Sequence, residues 1–204
     1  EFPDTKFSII DVSWLDAPNL RQYAFKEHEG SYIVGVAAAK ASKTGKVGFV
    51  GGMDIGLIRR FACGYVGGVK SINASAEVYQ NMTGTTPAAW NDPAKGAELT
   101  QSQIDRGADV VYHAAGGTGA GVIQAAADAG KLAIGVDSNQ NGMAPGSVLT
   151  SMLKRVDVAA YETFMDVKNG NFSAGVHVLG LAEGGVDWAL DENNASLVTA
   201  DMKA

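Results

Sequence analysis

The sequence predicts an open α/β fold, a parallel sheet whose strand ends form a ligand-binding rim. Between residues 46 and 137, four short apolar runs are each followed by a helical pattern or a turn-rich loop. That alternation places successive strands parallel, joined by right-handed crossovers. The strand candidates are apolar almost throughout, as expected when helices cover both faces. Twenty-six glycines without a repeat suit a fold with many tight strand-to-helix turns.

In chain order, strands are expected at 7–11, 46–51, 76–81, 109–115, 132–137, 148–152 and 176–179. Helices are expected at 27–42, 55–71, 93–106, 119–129 and 154–169. The third of these has the best-defined start, because Asp92 is a good N-cap and Pro93 suits the first helical turn. On the second helix Phe61 and Tyr65 share a face and read as core, and Cys63 reads as a small packed residue. The segments through Ser42 and from Met165 onward supply single strands and helices that do not complete a sheet by themselves.

Composition excludes several functions. The net charge of −6, with no Lys/Arg block, argues against nucleic acid as a partner. Lys, Arg or Gly interrupts every apolar stretch before it could span a membrane. A single cysteine rules out an internal disulfide and a cysteine-based metal site. No Cys-x-x-Cys or His-Glu-x-x-His spacing occurs, so no metal is expected. Asn-X-Ser/Thr sequons at Asn73, Asn81, Asn171 and Asn194 are read as chance.

In an open parallel sheet the ligand lies beyond the carboxyl ends of the strands, where strand order reverses. Here those ends read Gly51-Gly52-Met53-Asp54, Asn81-Met82-Thr83, Gly116-Gly117-Thr118-Gly119 and Asp137-Ser138-Asn139-Gln140. Trp90 falls on the loop after the second of these strands. An aromatic at a helix mouth can cover a flat ligand by stacking, or fold back as a core residue. The rim also offers glycine turns with open N–H groups, two carboxylates and several amides. His28, His113 and His177 all fall elsewhere, and no Ser-His-Asp or Cys-His arrangement is present. Such an inventory suits holding a polar aromatic molecule better than transforming one.

The run Gly116-Gly117-Thr118-Gly119-Ala120-Gly121 imitates a dinucleotide-binding loop, with Asp137 about 20 residues on. Gly-x-Gly-x-x-Gly fails in both registers, because residues 122 and 124 are Val and Gln. The loop also follows the third strand of its sheet, not the first. A nucleotide-cofactor enzyme therefore stands only as an alternative. The shared physics remains: amides at a helix N-terminus bind oxygen atoms, and a strand-end carboxylate accepts from vicinal hydroxyls.

Five collinear motifs resemble the basic membrane protein family. They are Glu27-His28-Glu29-Gly30-Ser31-Tyr32, Lys43-Thr44-Gly45-Lys46-Val47-Gly48-Phe49-Val50-Gly51-Gly52, Trp90-Asn91-Asp92-Pro93-Ala94-Lys95-Gly96, Gly135-Val136-Asp137-Ser138-Asn139-Gln140, and Leu149-Thr150-Ser151-Met152-Leu153-Lys154-Arg155-Val156-Asp157. Members are substrate-binding lipoproteins of ABC importers, with the purine nucleoside receptor as the best-understood type. The resemblance implies a class I periplasmic-binding-protein fold, two lobes closing around a ligand. It assigns residues 1–45 to the end of lobe 1, 46–152 to a complete lobe 2, 153–180 to a return to lobe 1 and 181–204 to a C-terminal crossover. Family members carry a lipobox cysteine and most of a first lobe before the position of Phe7, so the chain is expected to be a fragment. Half of the first lobe's core is then expected to be exposed.

By motif, Trp90 matches an aromatic that stacks on the base, where the family often has Phe. Gly116 or Gly117 matches a loop whose backbone contacts the sugar. Asp137 matches an acid that binds ribose hydroxyls, and Lys154 a lysine reaching the same sugar. Asp54 either joins the site or caps the helix that follows; Asp11 either faces the cleft or marks the hinge. The resemblance thus implies a lipid-anchored, extracytoplasmic receptor that delivers a purine nucleoside or base to an ABC permease, without cofactor or catalysis. Riboflavin, another flat ring system bound within the family, is the alternative ligand. A ligand-sensing regulatory domain is the alternative from another class, and it would require an attached DNA-binding module.

Overall fold

A computed structural model describes residues 2–203. It contains two sheets. The smaller consists of β1 (Phe7–Ile10), β2 (Leu20–Phe25) and β8 (Gly175–Leu179), in the order β1-β2-β8 and parallel throughout. The larger contains β3 (Lys46–Met53), β4 (Glu77–Gly84), β5 (Val110–Ala114), β6 (Leu132–Asp137), β7 (Val148–Lys154) and β9 (Val186–Trp188). Its order is β4-β3-β5-β6-β7-β9, with five parallel strands and an antiparallel edge at β9. Strand order reverses between β3 and β5, so the ligand crevice of this doubly wound sheet lies above their carboxyl ends.

The helices are α1 (Glu27–Ala41), α2 (Gly56–Ile72), α3 (Pro93–Asp105), α4 (Gly119–Asp128), α5 (Val156–Asn169) and the short α6 (Ala200–Lys203). Asp92 caps α3 as expected, its Oδ1 accepting from Lys95 N–H at 2.9 Å. One apolar core joins α1 and α2 to the larger sheet around Phe49, Tyr65 and Tyr112, with ring centroids 5.1–6.4 Å apart. Phe61 and Tyr65 are buried in it.

The structure corrects three expectations. First, the unit expected to end at residue 45 ends earlier, because α1 packs on α2 and reaches β7 and β9 of the larger sheet. Glycines make this possible. A Cβ at Gly64 or Gly68 would overlap the backbone of His28 or Tyr32, and one at Gly35 the carbonyl of Tyr65. The first crossing between the sheets therefore falls at Lys26. Second, β2 and β9 are additional strands. Arg21 and Gln22 break the apolar run of β2, yet both are buried. Arg21 pairs with Asp166 at 2.7 Å and donates to Ser173 O, so its charge is matched inside the smaller unit. Third, Cys63 is exposed, because α2 buries the faces carrying Phe61, Ala62, Tyr65 and Val69 and leaves Cys63 outside them.

The smaller unit keeps apolar surface open. Val176 and Val178 on β8, and Tyr161, Phe164 and Val167 on α5, are all exposed. Among the described residues no helix is long and apolar enough to cross a membrane.

Candidate functional site

Trp90 ends a single 3-10 turn, Pro87–Trp90, between β4 and α3. Its indole lies against Gly52 at the end of β3 so closely that a Cβ there would overlap the ring. A Cβ at Gly116, just past the end of β5, would stand 3.6 Å from Trp90 Cε3. The indole thus occupies the crevice where strand order reverses, and it stays partly exposed while packing on the core. The packed reading of Trp90 holds in part: the residue rests on Gly52 and the core and is not fully buried.

Gly116 has φ 56°, the left-handed region that glycine enters at no steric cost. Gly116–Thr118 form a 3-10 turn ahead of α4. Buried Thr118 donates its hydroxyl to Ala89 O and accepts from Asp92 N–H, both at 2.8 Å. One side chain thereby fastens the glycine loop to the Trp90 turn.

Asp137 ends β6, and Asp11 follows the end of β1 in the other sheet. Their φ values are 64° and 62°, and they are the only non-glycine positive φ values among the described residues. A residue held there costs on the order of 1–3 kcal/mol and persists where its surroundings enforce it. Lys154, the last residue of β7, stands between them. Its Nζ lies 2.7 Å from Asp11 Oδ2 and 3.8 Å from Asp137 Oδ1. The expected helix start at 154 moves to Val156, so Lys154 projects from a strand; its side chain is only 8% exposed. The other oxygen of Asp11, Oδ1, is buried without a hydrogen-bond partner among the described residues.

Electrostatics here are those of two acids sharing one base. Loss of surrounding water pushes the Asp137 carboxyl above its ordinary value, the negative charge of Asp11 adds to this, and Lys154 opposes it. Half of the Asp137 side-chain surface nevertheless remains open, 51%, leaving it accessible to a ligand. Burial disfavours the Lys154 ammonium, but Asp137 and Asp11 outweigh that and raise its pKa.

Asp54 does not cap α2. The N-cap of α2 is Ile55, without a side-chain bond. Asp54 is instead held by Arg59, with Nε and Nη2 donating at 2.7 and 2.9 Å. Of the rim amides, Asn139 and Asn141 both donate to Asp191 Oδ2. Gln140 folds beneath its own loop, where its Oε1 accepts from Val136 N–H.

Sequence reading overlooked Trp14, Glu27 and Arg60. With Asp11 they line a cavity of about 310 Å³ between the two sheets. Trp14 is 75% exposed, on the connection after β1. An aromatic on the loop beyond a strand's carboxyl end is part of the signal that singled out Trp90, and it applies equally to Trp14. Glu27 is buried and accepts from Arg60 Nε at 3.1 Å. Nothing in the pattern of an acidic first helical turn distinguishes it.

Two parallel sheets joined by several crossings, with strand ends facing one another across acids, an ammonium and an aromatic ring, define a periplasmic-binding-protein fold. A solute-binding protein of an ABC transporter system from Aeropyrum pernix K1 has this architecture, with a TM-score of 0.83 and 33% identity over 93% of this chain and 55% of that one. A transcriptional activator of the comK gene from Bacillus halodurans matches with a TM-score of 0.86 and 25% identity, over 99% of this chain and 67% of that one. A lac repressor structure, 14% identical at a TM-score of 0.59 over 90% of this chain and 66% of that one, shares the fold alone.

The chain belongs to the Bmp family, ABC transporter substrate-binding protein PnrA-like, which it matches over residues 1–204. It is 36% identical over 220 residues to the ABC transporter nucleoside-binding protein BmpA of Lactococcus lactis, covering 99% of this chain and 62% of the relative. It is 35% identical over 208 residues to basic membrane protein A of Borreliella burgdorferi, covering 98% of this chain and 59% of the relative. The chain thus spans about three fifths of the length of these curated relatives. The family is one of solute-binding receptors, not of enzymes.

Proposed function

We propose that this chain forms the greater part of a lipid-anchored, extracytoplasmic receptor that binds a purine nucleoside or purine base between its lobes and passes it to an ABC permease. The observation that carries this reading is the Lys154 ammonium held between Asp11 and Asp137 from two different sheets. Two carboxylates around one cation form an acceptor-rich site suited to vicinal hydroxyls, and hydrogen bonds to charged groups contribute about 1.5–3 kcal/mol each. In this reading Trp90 supplies an aromatic face for the base, and the Gly116-Gly117 backbone and Lys154 reach the sugar. Asp137 accepts from its hydroxyls, and Asp11 steadies Lys154 with one oxygen and offers the other to the ligand. Asp54, paired with the exposed Arg59, is a peripheral candidate in this reading. The nucleoside-binding relative supports the ligand class.

Calorimetry on the intact protein with guanosine, adenosine, inosine, adenine and riboflavin tests the assignment. A ribonucleoside or purine is expected to bind tightest and to be recovered unchanged by chromatography, with or without phosphate or NAD. Preference for riboflavin would replace the ligand, and release of free base would replace the receptor by an enzyme.

A further inference from the structure

In the proposed reading Asp137 is the acceptor for the sugar, and it holds a positive φ of 64°. The turn that presents it is closed by Ser138 N–H donating to Val136 O at 2.8 Å, a three-residue turn around a positive φ. Turns of this kind are strained and uncommon, so something beneath must hold it. Val136 N–H donates to Gln140 Oε1 at 2.8 Å, and Gln140 N–H donates to Ser151 Oγ at 2.9 Å. The Gln140 side chain is thereby folded back under the turn. Its Oε1 lies 3.0 Å from His113 Nε2.

These contacts decide the histidine's tautomer. An atom that accepts from Val136 N–H must be the carbonyl oxygen, so the imidazole is the donor and its proton is on Nε2. Complete burial pushes the His113 pKa down to about 4, although Gln140 opposes the shift, so the ring is neutral at working pH. His113 Nδ1 has no partner among the described residues, which leaves the bond to Gln140 as the one polar contact of a buried ring. The space for it is dedicated. A Cβ at Gly119 would overlap the imidazole, and one at Gly135 would stand 2.7 Å from Gln140 Oε1 and 2.6 Å from Ser151 Oγ.

We propose that His113 is a positioning residue: its Nε2–H fixes the Gln140 carboxamide that holds the turn presenting Asp137, and it thereby sets the preference for a ribosyl ligand over the free base. The final clause rests on the reading of Asp137 as a hydroxyl acceptor. The chain of bonds from His113 to the turn does not.

Three substitutions in the intact protein test it. His113→Leu keeps bulk and removes the donor; His113→Gln keeps a donor near the same place. His113→Leu is expected to weaken ribonucleoside binding about tenfold, as losing one buried hydrogen bond does, with adenine affinity within about twofold. His113→Gln is expected to restore most of the loss. Carbon-13 titration of the Asp137 carboxyl without ligand supplies an independent readout. Relaxing the turn should return the carboxyl toward the ordinary aspartate range in the Leu variant and not in the Gln variant. If the Leu variant fails to fold, Gln140→Met cuts the same chain at its half-buried end and gives both readouts. Equal loss of nucleoside and base in the Leu and Gln variants, or an Asp137 titration unmoved by His113→Leu, overturns the role of His113. A wild type without preference for nucleoside over base overturns the ribose reading alone, and the ligand-free titration still decides the rest.

Discussion

Asp11 and Asp137 terminate strands in different sheets, adopt the same left-handed backbone, and turn their carboxylates toward one ammonium. Each strand end bends sharply there, which lifts the carboxylate out of its sheet and into the space between the two. A site assembled this way exists only while both sheets are in place.

Removing the cation should disturb the acids before it disturbs the fold. Lys154→Met takes away the group that opposes the upward shift of Asp137, so the Asp137 carboxyl should titrate still higher by carbon-13 NMR. Nucleoside affinity at neutral pH should fall as well. Thermal stability should fall by no more than about 1–3 kcal/mol, because both acids are partly open to solvent and screened. An Asp137 titration unchanged in Lys154→Met would mean that the 3.8 Å approach does not persist in solution.

Asp137→Asn turns one acceptor oxygen into a donor, so in the proposed receptor a ligand hydroxyl would lose its partner. The expected loss is about 1–3 kcal/mol, roughly one to two decades in affinity, for ribonucleosides, less for 2′-deoxynucleosides and little for adenine. The wild type should also lose nucleoside affinity as pH falls through the raised Asp137 value, earlier than an ordinary aspartate would dictate. Asp137→Asn should be flat over that range. Calorimetry across a pH series checks both, and equal losses for nucleoside and base would assign Asp137 to cleft shape alone.

Trp90→Ala should cost roughly 1–3 kcal/mol of ligand affinity, the worth of base–aromatic stacking. Because the indole also rests on Gly52 and the core, some stability should go with it. Trp90→Phe separates the two effects: affinity should largely return, since a six-membered ring still stacks. Unchanged affinity in Trp90→Ala, with stability lost, would make the residue a packing element only.

His113 makes the fold acid-sensitive. Its folded pKa of about 4 lies below the ordinary 6.5, so the unfolded chain binds the proton first. Stability from this group is complete above about pH 6.5 and is lost progressively as pH falls toward 4. The total is on the order of 3 kcal/mol at about 1.4 kcal/mol per pKa unit. Denaturant titrations between pH 7 and pH 4 should show that slope in the wild type and lack it in His113→Gln. An identical slope in both would place the titrating group elsewhere.

Much of the larger sheet was legible because its strands are apolar runs between glycine turns. The bounds of β6 match the expectation residue for residue, and Asp92-Pro93 marked the start of α3. β2 was hidden because its inward side chains include Arg21 and Gln22, whose burial depends on Asp166 and the backbone of Leu15. No local pattern shows partners so distant in sequence. The same limit applies to the site. The residue types at the strand ends and on the loop after them pointed to Asp137 and Trp90, and only the family resemblance pointed to Lys154. That Asp11 would share Lys154, that Asp54 would turn to Arg59, and that Gln140 would fold inward depend on geometry between separate elements.

The close seating of α1 on α2 has a mechanical consequence. With backbone against backbone at Gly35, Gly64 and Gly68, the first crossing enters a stiff beam immediately after Lys26, and the other crossings are short: Arg155 N–H donates to Gly185 O, and Gly185 N–H to Gly180 O. In the proposed receptor, any rotation of one unit against the other would fall to the few torsions of these crossings beside Lys154, which would place the ammonium near the fulcrum. Trp90, resting on the ends of β3 and β5, stands two to three strands away, about 10–15 Å at roughly 4.8 Å per strand. If the units of the proposed receptor close by such a rotation, the acid–ammonium end of the gap would change width least and the indole end would sweep the larger arc. A ligand would be gripped first by its hydroxyls and sealed last over its ring.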